Sequence, residues 1–323
     1  MSEATTPAYS VVIEWENLRL ADAGRARPML RALYAQVEAQ SRAGREGEIL
    51  VVTDSDPALD AALDAALAAA GPPPVAAVRR VAAPATRYYQ KKNAGAGAAR
   101  GAVVVFLDSD VIPEDGWLAA LLEPFADPTV DGVGGTTYVE PRSAYDRAFA
   151  AFWFFPLRDA ADTTDELIEV YANNLAFRRA AFLARPFPEQ AEFRGAAGAL
   201  VAAIRAGGGR VLRRTAARCV HPAPNGFLHL LRRGACEGHD QFVRRQRELG
   251  GTTPPWRWSR NVVLRWLDGR ARERIRERAA TLGLDHGQRA LAHGVATVHS
   301  VAALAGHLLT RLDRRLVPRF LSI

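Results

Sequence analysis

The chain has 323 residues, 49% of them hydrophobic and 24% charged, with a formal net charge of +7 at neutral pH. That balance allows a sizeable core and excludes a disordered or fibrous chain. Two cysteines, Cys219 and Cys236, make neither a disulfide framework nor a metal-ligand pattern and fit a reduced cytoplasmic protein. The positive balance favours anionic partners such as nucleotides, phospholipid headgroups or nucleic acid.

The opening "MSEATTPAYS" lacks the basic region and apolar core of a secretory signal and reads as a short disordered lead. "YSVVIEW", from Tyr9 to Trp15, is rich in β-branched residues and reads as a strand. "RPMLRALYAQVEAQ" (Arg27 to Gln40) has helical apolar spacing, with Pro28 in a first turn that tolerates it. "GEILVVTDSD" (Gly47 to Asp56) is a second buried strand ending in polar residues. The Ala/Leu stretch after it is a helix starting at Asp56 or Pro57 and stopping at Gly71.

A Pro turn then leads to a third strand, "VAAVRRVAAP", and "YYQKKNAGAGAARG" reads as a helix of small residues. "AVVVFLDSD" is the fourth strand, "PEDGWLAALLEPFADP" a helix with an acidic first turn, and "VDGVGGTTYVEP" a further strand. Such alternation implies a parallel sheet covered on both faces, with ligands bound beyond the carboxyl ends of its strands.

Asp108 and Asp110 stand at one such end. Two readings are open: a solvated loop carrying a cap for the next helix, or a turn at Ser109 that lets both carboxylates reach one ligand complex. Hard oxygen ligands suit Mg2+ or Mn2+ bridging phosphates.

"VVIEWEN", "EILVVTDSD", "KKNAGAGAARGAVVVFLDSDVIPEDGWL" and "YANNLAFRRAAF" together resemble the family 2 glycosyltransferases, in order and spacing, over roughly residues 9 to 220. The resemblance implies an α/β fold of the GT-A nucleotide-diphospho-sugar transferase type, a mostly parallel sheet with helices on both faces. That domain would occupy residues 1–220, and a basic helical extension residues 221–323. It further implies a nucleotide-diphosphate sugar as donor and a saccharide or lipid-linked hydroxyl as acceptor, in cell-envelope polysaccharide or glycolipid synthesis.

Carried over residue by residue, the resemblance places Glu16 and Asn17 beside the nucleotide base and ribose, although Glu14 and Trp15 replace the family's usual Pro-Thr type. Asp54 corresponds to the base-binding acid, and Lys92, Asn93 and Gly95 match the basic-Asn-x-Gly segment flanking the nucleotide pocket. Asp108 approaches the ribose or the metal, and Asp110 is the principal metal ligand. His221, before Pro222, matches a late histidine used as an additional metal ligand.

One part of the pattern is missing. Inverting members carry a Glu-Asp pair whose Asp is the general base, but in "AEFRGAAGALVAAIRAGG" Ala196 and Ala197 hold those positions after Gly195. Three explanations are open: a base from elsewhere, with Glu192 nearest and Glu189 behind it; a retaining enzyme whose leaving phosphate takes the proton; or nucleotide-sugar binding without turnover. A phosphatase of the haloacid-dehalogenase kind needs its D-x-D near the chain start, and position 108 argues against it.

Past Pro222 the chain reads as helical. Glu237, His239 and Asp240 form either an acceptor-side cluster or polar helix surface. Trp256, Trp258 and Trp266 alternate with arginines, and Ala290 to Thr310 carries no Asp, Glu, Lys or Arg, but is too rich in Ala and His for a membrane span. A packed or membrane-surface helix is expected there, the latter giving peripheral contact at the inner face of the plasma membrane. Nucleic acid is not expected as a partner, because only this tail gathers basic residues.

Overall fold

The structure, a computed structural model, describes residues 7–15, 23–74, 78–84, 86–167, 170–189, 192–223, 226–248 and 270–320. The chain divides into two compact units: Met1–Tyr138, Asp159–Glu189 and Gly195–His221 form the first, and Val139–Arg158, Gln190–Arg194 and Pro222–Ile323 the second. The second unit thus takes in residues 139–158 and 190–194, which a division at residue 220 leaves with the first.

In chain order the strands are β1 (Tyr9–Glu14), β2 (Gly47–Thr53), β3 (Val78–Ala82), β4 (Val103–Asp108), β5 (Ile112–Pro113), β6 (Val130–Val139), β7 (Thr164–Glu166), β8 (Asn174–Arg178) and β9 (Arg210–His221). The helices begin with α1 (Ala26–Arg42), α2 (Pro57–Ala70), α3 (Tyr88–Ala98), α4 (Trp117–Leu122), α5 (Ala144–Phe152), α6 (Arg179–Ala184) and α7 (Ala196–Ala206). They continue with α8 (Gly226–Glu248), α9 (Arg270–Arg278), α10 (His286–Leu312) and α11 (Leu316–Phe320).

The sheet runs β3-β2-β1-β4-β8-β6-β9-β5, with β7 paired to β9. β3, β2, β1 and β4 are parallel to one another, as their helical crossovers require. Beyond β4 the pattern changes: β8 runs antiparallel to β4, and β6 antiparallel to β8.

Alternation along the strands builds two core layers. Val11, Ile13, Val105 and Leu107 face α1, α2 and α4, whereas Val12, Leu50, Val104 and Phe106 face α3, α6 and α7. Glu14 lies opposite both Val52 and Asp108, so β1, β2 and β4 end together and their last carboxylates share one edge of the sheet.

Local signals hold the helices in place. Asp56 caps α2 by accepting from the Ala58 N–H at 2.9 Å, with Pro57 in the first turn. Gly95 lets α3 settle on the sheet, since a Cβ there would stand 2.3 Å from Val12 Cγ1 and 2.9 Å from Val52 Cγ2. The acidic first turn expected for α4 is not formed: Gly116 (φ 79°) starts the helix later, at Trp117. Glu114 instead accepts from Arg218 Nε at 3.1 Å and from the Tyr138 hydroxyl.

In the second unit, α8 and α10 approach backbone to backbone. A Cβ on Gly238 would lie 1.8 Å from the Ala303 carbonyl oxygen, and one on Gly306 2.0 Å from that of Ala235. His239 Nδ1 lies 2.9 Å from the Thr310 hydroxyl across this seam. Arg278 of α9 closes the end of α5, donating to the carbonyls of Ala150, Trp153 and Phe155 at 2.7, 2.9 and 3.0 Å. Residues 290–310 lie within α10 as a packed helix, and no helix among the described residues is long and apolar enough to cross a membrane.

Candidate active site

Three acidic residues stand at the carboxyl ends of neighbouring parallel strands: Glu14 closes β1, Asp54 follows β2 and Asp108 closes β4. Two fully buried lysines of α3 reach this edge. Lys91 Nζ is 2.7 Å from Asp54 Oδ1, and Lys92 Nζ is 2.6 Å from Asp108 Oδ1. Consecutive helical side chains diverge by about 100°. That divergence sends one ammonium to each of the strands flanking β1.

Lys91 also donates to the Thr86 carbonyl. A buried ammonium without such partners would cost several kcal/mol. The lysines are therefore tied to the carboxylates, and the carboxylates to a fixed geometry.

Asp108 has a second donor. The Tyr88 hydroxyl stands 2.8 and 2.9 Å from its two oxygens, and Lys92 Nζ is 4.6 Å from the centroid of the Tyr88 ring. Burial, followed by the Asp108 and Glu14 carboxylates, pushes the Tyr88 phenol well above its ordinary range, so it stays protonated and donates. Sequence reasoning singled out neither Tyr88 nor Lys91, and named Glu14 only as a departure from the family's pattern. The Tyr88–Lys92 spacing of i, i+4 on a helix was the available signal.

After Asp108 the chain turns at Ser109, with the Val111 N–H bonded to the Asp108 carbonyl at 3.2 Å. This is the turn on which a shared role for Asp108 and Asp110 depends. Asp110 is 8% exposed. Ile112 pairs with Val220 in antiparallel register, so the next residue of β9, His221, falls beside Val111, adjacent to Asp110 in the chain.

Among the described residues, however, no three His, Cys, Asp or Glu side chains gather as a ligand set. The expected trio of Asp108, Asp110 and His221 forms no such set, and Lys92 and Tyr88 engage the Asp108 carboxylate. A divalent ion still fits the donor chemistry. Asp110 offers a hard carboxylate oxygen at the sheet edge, and Mg2+ and Mn2+ accept few protein ligands when phosphates supply the rest.

Two further expected site residues make contacts within the fold. Asn93 uses both ends of its amide on the Phe187 backbone, donating to its carbonyl at 2.8 Å and accepting from its N–H at 3.1 Å. Gly95 serves the approach of α3 to the sheet. Glu16 and Asn17 lie outside the described residues, as do Trp256, Trp258 and Trp266.

The expected base also changes character. Glu192, the nearest candidate, is 5% exposed and ion-paired with Arg247. Glu189 is exposed. Gly195 (φ 108°) starts α7, and Ala196 and Ala197 are 1% and 3% exposed within a core cluster.

Asp240 of α8 accepts the N–H groups of Phe193 and Arg194 at 2.7 and 3.0 Å. Burial pushes its carboxyl up to about 6 despite those bonds and the nearby arginines. His239 and Asp240 are thus neither polar helix surface nor an open cluster: each is 1% exposed and bonded inside the second unit.

A family model described as Glycosyl transferase family 2 matches residues 24–185. No curated protein matches the chain. Among solved structures, the mannosyltransferase PcManGT from Pyrobaculum calidifontis, in complex with GDP-Man and Mn2+, is 18% identical, with a TM-score of 0.53 covering 97% of this chain and 81% of that one. GalNAc-T7 with UDP, GalNAc and Mn2+ is 19% identical, with a TM-score of 0.50 covering 68% of this chain and 43% of that one. This chain thus spans less than half of the GalNAc-T7 chain, and at these identities the likeness is one of fold.

Proposed function

The chain belongs to glycosyl transferase family 2, and on that premise we propose that it binds a nucleotide-diphosphate sugar and passes the sugar to a hydroxyl acceptor. The observation that carries this reading is Asp108, clamped by Lys92 and Tyr88 at the end of β4, with Asp110 beyond the turn. In this reading Asp54 faces the donor base, oriented by Lys91, and Asp108 faces the ribose.

Asp110 holds Mg2+ or Mn2+, with His221 as a further ligand. When bound, the ion neutralises charge on the departing diphosphate. Mn2+ accompanies the donor GDP-Man in PcManGT and UDP in GalNAc-T7, which supports the choice of ion. The acceptor is a saccharide or lipid-linked hydroxyl, in cell-envelope synthesis on the cytoplasmic side. The positive net charge supports that setting.

Ala196 and Ala197 favour a second reading, a nucleotide-sugar-binding protein of the same fold without turnover. Alanine accepts no proton, and both positions belong to the core. Incubation with a panel of nucleotide sugars and Mn2+, followed by chromatography of the nucleotides and by calorimetry, separates the two. Release of a nucleoside diphosphate supports transfer, binding without release supports the second reading, and neither overturns both. Asp110→Asn should weaken Mn2+-dependent nucleotide binding by roughly tenfold to a hundredfold, the loss of one charged partner.

A further inference from the structure

The second unit leaves apolar surface that its own fold does not cover. Nine large hydrophobic side chains among the described residues are exposed, and eight of them belong to this unit. On α10, Val301, Leu308 and Leu312 are 59%, 41% and 80% exposed. Their spacing of i, i+7 and i+11 puts them on one face of the helix, with exposed Ala305 in the intervening turn. Gly306 and Ala303, by contrast, are on the side that meets α8.

Charge is distributed with equal asymmetry. From Ala290 to Thr310 the helix has no Asp, Glu, Lys or Arg, and immediately afterwards Arg311, Arg314, Arg315 and Arg319 are all exposed, with Asp313 the acid among them. Arg311, Arg314 and Arg315, with Asp313 between them, line a cleft of about 480 Å3 together with Gln246 and Thr310. The Arg319 guanidinium stands 5.6 Å from the ring of Phe320, which is 70% exposed.

We propose that this face of α10 and α11 lies on an anionic phospholipid surface, the apolar stripe at the acyl boundary and the arginines on the phosphates. Charge complementarity selects this occupant. A net positive charge, four arginines against one aspartate, at the end of an uncharged apolar stripe matches a bilayer interface, apolar below and anionic above. The contact lies in the membrane plane, because no helix among the described residues is fit to cross it.

The proposal concerns binding alone and does not depend on sugar transfer. Its test is sedimentation of the full chain with phosphatidylcholine vesicles and with vesicles that also contain phosphatidylglycerol. Binding should be at least about tenfold tighter to the anionic vesicles and should weaken with salt. Arg314→Glu with Arg315→Glu should abolish that preference, each reversal costing roughly fivefold or more.

Leu308→Ser with Leu312→Ser should reduce binding to the anionic vesicles by about tenfold or more. These positions are exposed, so circular dichroism and melting should match the parent. No association with anionic vesicles at low salt, or association unaffected by both pairs, overturns the proposal. So does a concentration-dependent dimer that the leucine pair dissociates while vesicle binding persists, since the face then belongs to a second copy.

Discussion

Lys92 holds its ammonium 2.6 Å from the Asp108 carboxylate, and the two side chains are 0% and 8% exposed. Removing either charge alone leaves the other buried beside an apolar strand. Removing both leaves a neutral pair that Tyr88 can still serve.

Lys92→Met should therefore lower stability by about 3 kcal/mol, within the range for breaking a buried pair. Adding Asp108→Asn to Lys92→Met should recover a large part of that loss. Urea denaturation of the two variants checks the sign. Equal destabilisation by the single and double variants would mean that the pairing carries no energy.

Asp240 makes a prediction about pH. Its carboxyl is raised from 3.8 to about 6 in the folded chain, chiefly by burial. The folded state then binds the proton more tightly than the unfolded state. The contribution to stability is fully present below pH of about 4 and is lost as pH rises through about 6, by on the order of 3 kcal/mol. Asp240→Asn has no such titration. Its stability relative to the parent should rise between those limits, in urea denaturation at pH 4 and 7, and a constant difference would contradict the assignment.

Ala197 tests whether the missing acid could simply be restored. The residue is 3% exposed in a cluster with Leu200 and Val201. Ala197→Asp should therefore destabilise the fold by about 3 kcal/mol, the cost of a buried carboxyl without a designed partner, and install no base. A soluble variant with unchanged melting and new transferase activity would show that the position opens to the acceptor.

The sequence made the parallel half of the fold legible because each strand is an apolar run closed by polar residues. Asp56, Pro57 and Gly71 marked one helix at both ends, as the structure has it. Asp108 and Asp110 were visible for the same reason. The neighbours of these acids were harder to read.

Lys92 and Tyr88 sit 16 and 20 residues before Asp108, and only the docking of α3 brings them to it. The ion pair of Glu192 was hidden because nothing local announces Arg247, 55 residues on. Asp240 reaches back 47 residues to Phe193, equally without a local trace. The resemblance placed Asn93 in a segment flanking the nucleotide pocket, and nothing local announces its amide's partner Phe187, 94 residues away.

Arg278 closes α5 across intervals of 123 to 128 residues, and this has a consequence for how the protein is made. The aromatic run Phe152, Trp153, Phe154 and Phe155 is complete when the ribosome has still to synthesise α9. At ordinary elongation rates that interval is on the order of ten seconds. Over that time the run remains uncovered on the nascent chain, and the second unit closes only once most of the polypeptide has been translated. A chain cut after His221 would keep α5 but lose Arg278, leaving a sticky, unfinished surface in place of a trimmed domain.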